Sequence, residues 1–227
     1  MPTCFITGAS RGIGLEFARQ YAAEGWVVYA TCQHPEAAAA LQALAGQIHL
    51  HPLDVTDFAA VDALARALEG EAIDLLINNA GVYGPRVVPY DFVDYARWAE
   101  VMRVNAMAPL KIGAAFSKHV ARSRRKVIVS LTSSMGSISE NSSGGSYIYR
   151  SSKAALNAVM RSLAIDLRGK EITVILINPG WVRTDMGGAA ASFDVGENVA
   201  RMRRLFDEVE LHHSGRCFDY DGTPLPW

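Results

Sequence analysis

Short, nearly unbroken apolar runs alternate along this chain with stretches whose apolar residues recur every third or fourth position. Runs at 3–7, 26–31, 48–50, 73–77, 127–131 and 172–177 read as strands, because parallel strands covered on both faces carry continuous apolar sequence. Between them, helical spacing predicts helices over 12–24, 36–44, 58–68, 147–167 and 194–209, with two more filling most of 91–120. Asp57 is placed to cap the helix that begins at Phe58. A last run at 215–220 reads as an edge strand. Repeated β-α alternation implies right-handed crossovers, so the predicted fold is α/β: a single doubly wound parallel sheet with helices on both faces. No linker or shift in composition divides residues 1–227, which predicts one domain. Two loops stand out, one rich in Ser and Gly at 137–146 and one rich in Ala and Gly at 187–196. Both are expected at carboxyl ends of strands, where open α/β sheets bind ligands.

The first strand runs into Thr7-Gly8-Ala9-Ser10-Arg11-Gly12-Ile13-Gly14 and then into the first helix. Gly8 permits a sharp turn, Gly12 lets backbone approach a pyrophosphate, and Gly14 allows close helix–sheet packing. The helix start offers free N–H groups and positive potential to an anion. The order is G-x-x-x-G-x-G. Its place between a strand and a helix, with the βαβ pattern continuing, points to dinucleotide binding, with Ser10, Arg11 and Ile13 in the same turn.

The helix predicted over 147–167 carries Tyr149 and Lys153 four residues apart, which stacks a phenol and an ammonium on one face. A free phenol has a pKa near 10, and a fixed ammonium nearby lowers it by favouring the phenolate. Bringing it near 7 takes about 3 units, or about 4 kcal/mol, of which one lysine in a partly dry site supplies much and a cationic cofactor more. Such a pair suits proton transfer to or from an oxygen. Tyr147 lies about 120° from the face of Lys153 and Tyr149 only about 40°. Tyr149 is therefore the expected proton carrier and Tyr147 a pocket wall.

Composition narrows the classes of partner. The chain has 227 residues, half of them hydrophobic, and a formal net charge of −1, which suits a soluble α/β domain with a large core. Near-neutral charge leaves no electrostatic footprint for nucleic acid or an acidic membrane, and no apolar run is long enough to span a bilayer. The densest basic run, Arg122, Arg124, Arg125 and Lys126, falls where a helix should end, so dipole complementarity and solvation account for it. Cys4, Cys32 and Cys217 are odd in number and lack metal or redox spacing, as in a reduced chain. His49 and His51 share a strand face without a third ligand, so no metal is expected. The glycine-rich turn begins at Gly8 and leaves no space for a leader, so the expected location is cytoplasmic.

The glycine turn together with Tyr-x-x-x-Lys resembles the short-chain dehydrogenase/reductase family, whose fold is Rossmann-type. Asp54-Val55 look like the family's adenine-contacting pair, and Asn78-Asn79-Ala80-Gly81 is similar to its NNAG signature. Asn105 falls where the family has a catalytic asparagine, in a helix that it kinks. Pro179-Gly180-Trp181-Val182-Arg183-Thr184 resembles the segment beside the nicotinamide. The stretch Thr132-Ser133-Ser134-Met135-Gly136-Ser137, the 141–145 loop and the ending His213-Ser214-Gly215-Arg216, Asp219-Tyr220 and Pro226-Trp227 are similar to the C-factor and sniffer-type carbonyl reductase branch.

The resemblance implies an oxidoreductase that moves a hydride between nicotinamide and a carbonyl or alcohol, the cofactor carrying the difficult chemistry. Ser133, which the branch pattern selects with Ser134 as the alternative, would donate to the carbonyl oxygen and Tyr149 would deliver the proton. Lys153 would keep the phenol acidic and hold the nicotinamide ribose, and Asn105 would anchor a water leading from Lys153 to solvent. The second strand ends Thr31-Cys32-Gln33-His34 without the acid that favours NAD, and Arg11 can pair with a 2′-phosphate, so NADP(H) is favoured over NAD(H). Tyr83, Met135, Tyr147, Trp181, Met186 and Phe193 suggest a pocket for an apolar or aromatic carbonyl, with the 187–196 loop as a lid and Phe193 as its cap. The family often pairs through helices at 107–120 and 154–167, which implies a homodimer or homotetramer. The alternatives are a dinucleotide-binding signalling or sensor protein of the C-factor kind, or an epimerase or dehydratase on the same scaffold.

Overall fold

Every residue of the first strand, β1 (Thr3–Thr7), is buried, as its unbroken apolar run requires. The computed structural model describes residues 1–86 and 89–227. After β1 come α1 (Gly12–Ala23), β2 (Val27–Cys32), the one-turn α2 (Ala39–Gln42), β3 (Gln47–Pro52), α3 (Phe58–Ala67) and β4 (Leu75–Asn78). The chain continues through α4 (Tyr95–Met102), α5 (Ala108–Ala115), α6 (Ser117–Ala121), β5 (Val127–Leu131), α7 (Tyr147–Asp166), β6 (Thr173–Asn178), α8 (Val195–Glu208) and β7 (Cys217–Asp219).

The strands form one seven-stranded sheet in the order β3-β2-β1-β4-β5-β6-β7, every pair parallel. This is the Rossmann-type arrangement. Alternate residues of each strand feed two cores. Phe5, Leu76, Ile128 and Val174 pack with Val61 of α3, Ile112 of α5 and Met160 of α7. Cys4, Ile6, Ile77 and Ile175 pack with Phe17 of α1 and with Val199 and Phe206 of α8. The direction of winding reverses between β1 and β4, and a crevice opens at their carboxyl ends.

Asp57, Asp94 and Asp194 cap α3, α4 and α8, each carboxylate accepting from first-turn N–H groups. The helix expected over 36–44 is instead a 3₁₀ turn at Pro35–Ala37 followed by α2. Ala38 at its start supplies no capping side chain, and between Pro35 and Leu44 only Ala38 and Leu41 are buried, too little to propagate a helix. The 91–120 segment breaks into three helices rather than two. A π turn at Arg103–Met107 lies between α4 and α5, and the buried Phe116 separates α5 from α6.

The basic run serves packing: Arg125 pairs with Asp207 at 2.8 Å and Lys126 with Glu171 at 2.9 Å. His49 and His51 stack against Tyr29, with ring centroids 5.0 and 6.0 Å away. Among the described residues no helix is long and apolar enough to cross a membrane, and no group of three His, Cys, Asp or Glu side chains gathers as metal ligands would.

Candidate active site

The turn after β1 is built by hydrogen bonds to the end of β4. The Thr7 hydroxyl oxygen accepts from the N–H groups of Asn79 and Ala80 at 3.1 and 3.0 Å. The Asn79 amide returns two bonds, to the carbonyls of Thr7 and Gly8 at 2.8 and 2.9 Å. This closeness leaves no room for side chains. A Cβ on Gly8, whose φ is +66°, would come within 2.9 Å of the Ala80 Cα, and one on Gly14 within 2.4 Å of the Asn79 amide nitrogen and the Gly8 carbonyl. Gly14→Ala is expected to cost about 1–3 kcal/mol through overpacking and to weaken dinucleotide binding about tenfold or more. Melting curves and fluorescence titration check both, and unchanged affinity would separate Gly14 from the turn's function.

Unlike α3, α4 and α8, α1 has no capping side chain; Arg11 at its N-cap makes no side-chain bond to the first turn. The open N–H groups face a cleft of about 280 Å³. Gly8, Ser10, Arg11, Gly12, Ile13, Asp54, Val55, Asn79, Ala80, Gly81, Tyr149, Lys153, Pro179 and Thr184 line it, as do Gln33, Thr132 and Met186. Gly14, Gly180 and Val182 stand outside this lining. Gly14 packs against Asn79, Gly180 turns beneath the rings of Phe193 and Tyr220, and Val182 is buried and bridged to Phe193. An uncapped helix start, a turn without side-chain bulk and a long polar-edged cleft fit a dinucleotide.

Two features bear on the adenosine end. Gln33 donates to the Asp54 carboxylate at 3.1 Å. The Thr56 N–H and hydroxyl hold that carboxyl below its usual range, with Gln33 adding to the effect. Arg11 lies 3.8 Å from Asp185, both largely exposed, so the pair is loose and the guanidinium stays available to an anion.

At the other end, α7 brings Tyr149 and Lys153 to one buried face, 8% and 6% exposed, whereas Tyr147 is 42% exposed. The Lys153 ammonium donates to the Leu131 carbonyl at 2.8 Å and lies 5.8 Å from the centre of the Tyr149 ring. Burial pushes the Tyr149 phenol up to about 12, opposed by the neighbouring Ser133 hydroxyl and reinforced by Tyr83. Burial lowers Lys153 to about 8. In the protein alone, burial therefore moves the phenol upward. The ammonium is turned to the Leu131 carbonyl.

Ser133 opens the 3₁₀ turn Ser134–Gly136, and its oxygen accepts from the Met135 N–H at 3.2 Å. Of the two serines, Ser133 is the one whose hydroxyl acts on the Tyr149 phenol, favouring its ionised form against burial. Asn105 sits in the π turn, buried. Its amide nitrogen donates to the Val82 carbonyl and the Ser152 hydroxyl at 2.8 and 2.9 Å, and its oxygen accepts from the Val82 N–H at 2.9 Å. The side chain thus fastens the loop after β4 to α7.

The sequence reading passed over two supports. Ser152 donates to the Tyr149 carbonyl at 2.8 Å while accepting from Asn105. Asn157 accepts from Thr132 at 2.6 Å and donates to the Gly136 carbonyl at 3.3 Å, bracketing the turn that carries Ser133. The place of Ser152 beside Lys153 was a usable signal; Asn157 had none, because its partners lie more than twenty residues away in sequence. Phe193, expected as a lid cap, packs at 4.6 Å on Tyr220 and pairs its backbone with Trp181 and Arg183, so it is an anchor. Trp181 and Met186 are the exposed apolar groups near this loop.

Comparison with known proteins places this geometry. The short chain dehydrogenase family matches residues 2–194. The chain is 44% identical to the C-signal of Myxococcus xanthus over 155 residues, covering 68% of this chain and 93% of that protein. Its structure is similar to the carbonyl reductase Sniffer of D. melanogaster, with a TM-score of 0.94, 32% identity and 100% of both chains covered. It is also similar to the NADPH-bound carbonyl reductase from chicken fatty liver, with a TM-score of 0.93, 32% identity and coverage of 100% and 99%.

Proposed function

This chain belongs to the short-chain dehydrogenase family, and on that premise we propose that it reduces apolar or aromatic carbonyls with NADPH. The family and the carbonyl reductase neighbours make it a carbonyl reductase-like oxidoreductase that uses a nicotinamide cofactor. The observation that carries the reading is the joining, in one cleft, of the uncapped start of α1 to Tyr149 and Lys153. In this reading the first-turn N–H groups at Gly12 and Ile13 would hold the pyrophosphate, Asp54 and Val55 would contact the adenine, and Pro179 and Thr184 would lie beside the nicotinamide, all of them lining the one cleft. When bound, the cofactor supplies the hydride that reduces the carbonyl carbon.

The protein's own groups handle the oxygen. The Ser133 oxygen accepts from the Met135 N–H, which fixes the hydroxyl in its turn, and that hydroxyl would donate to the substrate carbonyl. Tyr149, protonated at neutral pH because burial raises its pKa, gives its proton to the same oxygen as charge develops there. Lys153 would hold the ribose hydroxyls and steady the phenolate left behind. A phenol that holds its proton at pH 7 favours the reductive direction.

The test is a screen of the purified protein for NADPH oxidation against aldehydes, ketones and quinones. Turnover with bulky apolar carbonyls supports the reading. NADPH binding without turnover across the panel favours a dinucleotide-binding signalling role, a second reading motivated by the 44% identity to C-signal. Titration should show NADPH binding more tightly than NADH by a modest factor. Gln33→Arg should widen the gap by about tenfold through a charge-assisted partner, and Arg11→Ala should narrow it. Tighter NADH binding by the unaltered protein would overturn the assignment of Arg11.

A further inference from the structure

Tyr83, in the loop after β4, touches three parts of the candidate site. Its ring stacks on Tyr149 with centroids 4.3 Å apart and planes 17° from parallel. Its hydroxyl lies 3.3 Å from the Ser146 hydroxyl at the start of α7 and donates to the Met135 sulfur at 3.6 Å, beside Ser133. Tyr83 is itself held in place. The Arg86 guanidinium lies over its ring, 5.0 Å from the centre, and Arg86 donates to the Met186 carbonyl after β6. The loops that follow β4, β5 and β6 are thereby joined to α7 through one aromatic ring. Tyr83 stands outside the lining of the cofactor cleft, and its contacts reach Tyr149, Met135 and Ser146.

We propose that Tyr83 is a positioning residue: its ring fixes the plane of Tyr149 and closes one of its faces, and its hydroxyl ties the Ser133 turn to the start of α7. The proposal rests on Tyr149 being the proton donor. A carbonyl substrate then meets Tyr149 only at its hydroxyl edge, with the Ser133 hydroxyl already aligned on the same oxygen. A ring held by stacking on one side and by its own helix on the other cannot swing away from the substrate, and misplacement of a reacting group by about 1 Å costs about 10²-fold in rate. The charged and titratable groups around the phenol are Lys153 on α7, Tyr83 on the loop after β4 and Arg86 behind it. The Tyr83 ring keeps water from one face of the phenol, so removing it should let the phenolate form at lower pH.

The experiment compares Tyr83→Leu, Tyr83→Phe and Tyr149→Phe in NADPH-dependent reduction, with pH profiles, cofactor titration and melting curves. Tyr83→Leu should lower kcat about 10- to 100-fold while KM and the cofactor Kd stay within about twofold. The alkaline limb of its kcat/KM profile should move to lower pH. Tyr83→Phe, which keeps the ring, should restore most of kcat and the original alkaline limb. If Tyr83→Leu does not fold, Tyr83→Met refills the volume without a ring and makes the same test. Normal kcat and an unmoved profile in the ringless variant, beside an inactive Tyr149→Phe, would overturn the role of Tyr83 alone. An active Tyr149→Phe would overturn the proton-donor reading on which it rests.

Discussion

Tyr149→Phe is expected to lower turnover by about 10²–10⁴-fold and to leave dinucleotide affinity within about twofold. The phenol is the group in the cleft able to hand a proton to a developing alkoxide at the level of Ser133, and phenylalanine keeps its ring on Tyr83 while deleting only the hydroxyl. Folding should be nearly unaffected, within about 1 kcal/mol, because the hydroxyl is buried for little net hydrogen-bond gain. Steady-state kinetics beside cofactor titration and a melting curve make the test complete. Normal kcat in a folded variant would remove Tyr149 from the mechanism, whereas a loss of cofactor affinity equal to the loss of rate would recast it as a binding residue.

Lys153→Met is expected to move activity and stability in opposite directions. Burial lowers the lysine from 10.5 to about 8, so at neutral pH the folded protein carries an ammonium whose charging opposes folding by up to about 3 kcal/mol. Below pH 8 lysine is protonated in both states and this cost is fully present. Between about pH 8 and 10.5 the folded state releases its proton first, the unfolded state binds more protons, and stability rises with pH. Methionine fills similar volume without the charge and leaves the Leu131 carbonyl without its donor, a loss of about 1 kcal/mol. The variant should therefore melt a few degrees higher at pH 7, and that advantage should fade as pH approaches 10. Turnover should fall by about 10²-fold or more, with weaker cofactor binding, because in the proposed mechanism the ammonium would serve both ribose and phenolate. A lower melting temperature at pH 7 would mean that the Leu131 contact outweighs desolvation.

Much of this protein follows from local pattern. The unbroken apolar runs announce buried parallel strands, since each strand must feed both cores, and the spacing of Tyr149 and Lys153 places them on one helix face whatever packs above. The glycine turn is legible because its glycines sit together between an apolar run and a helical pattern, although the atoms that exclude side chains there belong to the distant Asn79 and Ala80, and the Asp57 cap is legible because it bonds to its own helix. Other features depend on which distant groups meet. The 36–44 segment has helical spacing but too few buried anchors to remain one helix. Phe193 has the composition of a lid and the packing of an anchor, because Tyr220 arrives beside it from the far end of the chain. The phenol's acidity depends on its burial and on what surrounds it, and only the three-dimensional structure shows that burial raises it while the lysine turns toward Leu131. Periodicity encodes which face of an element is buried. It does not encode which side chain from another loop will cover that face, and the Tyr83 ring over Tyr149 is set at that second level.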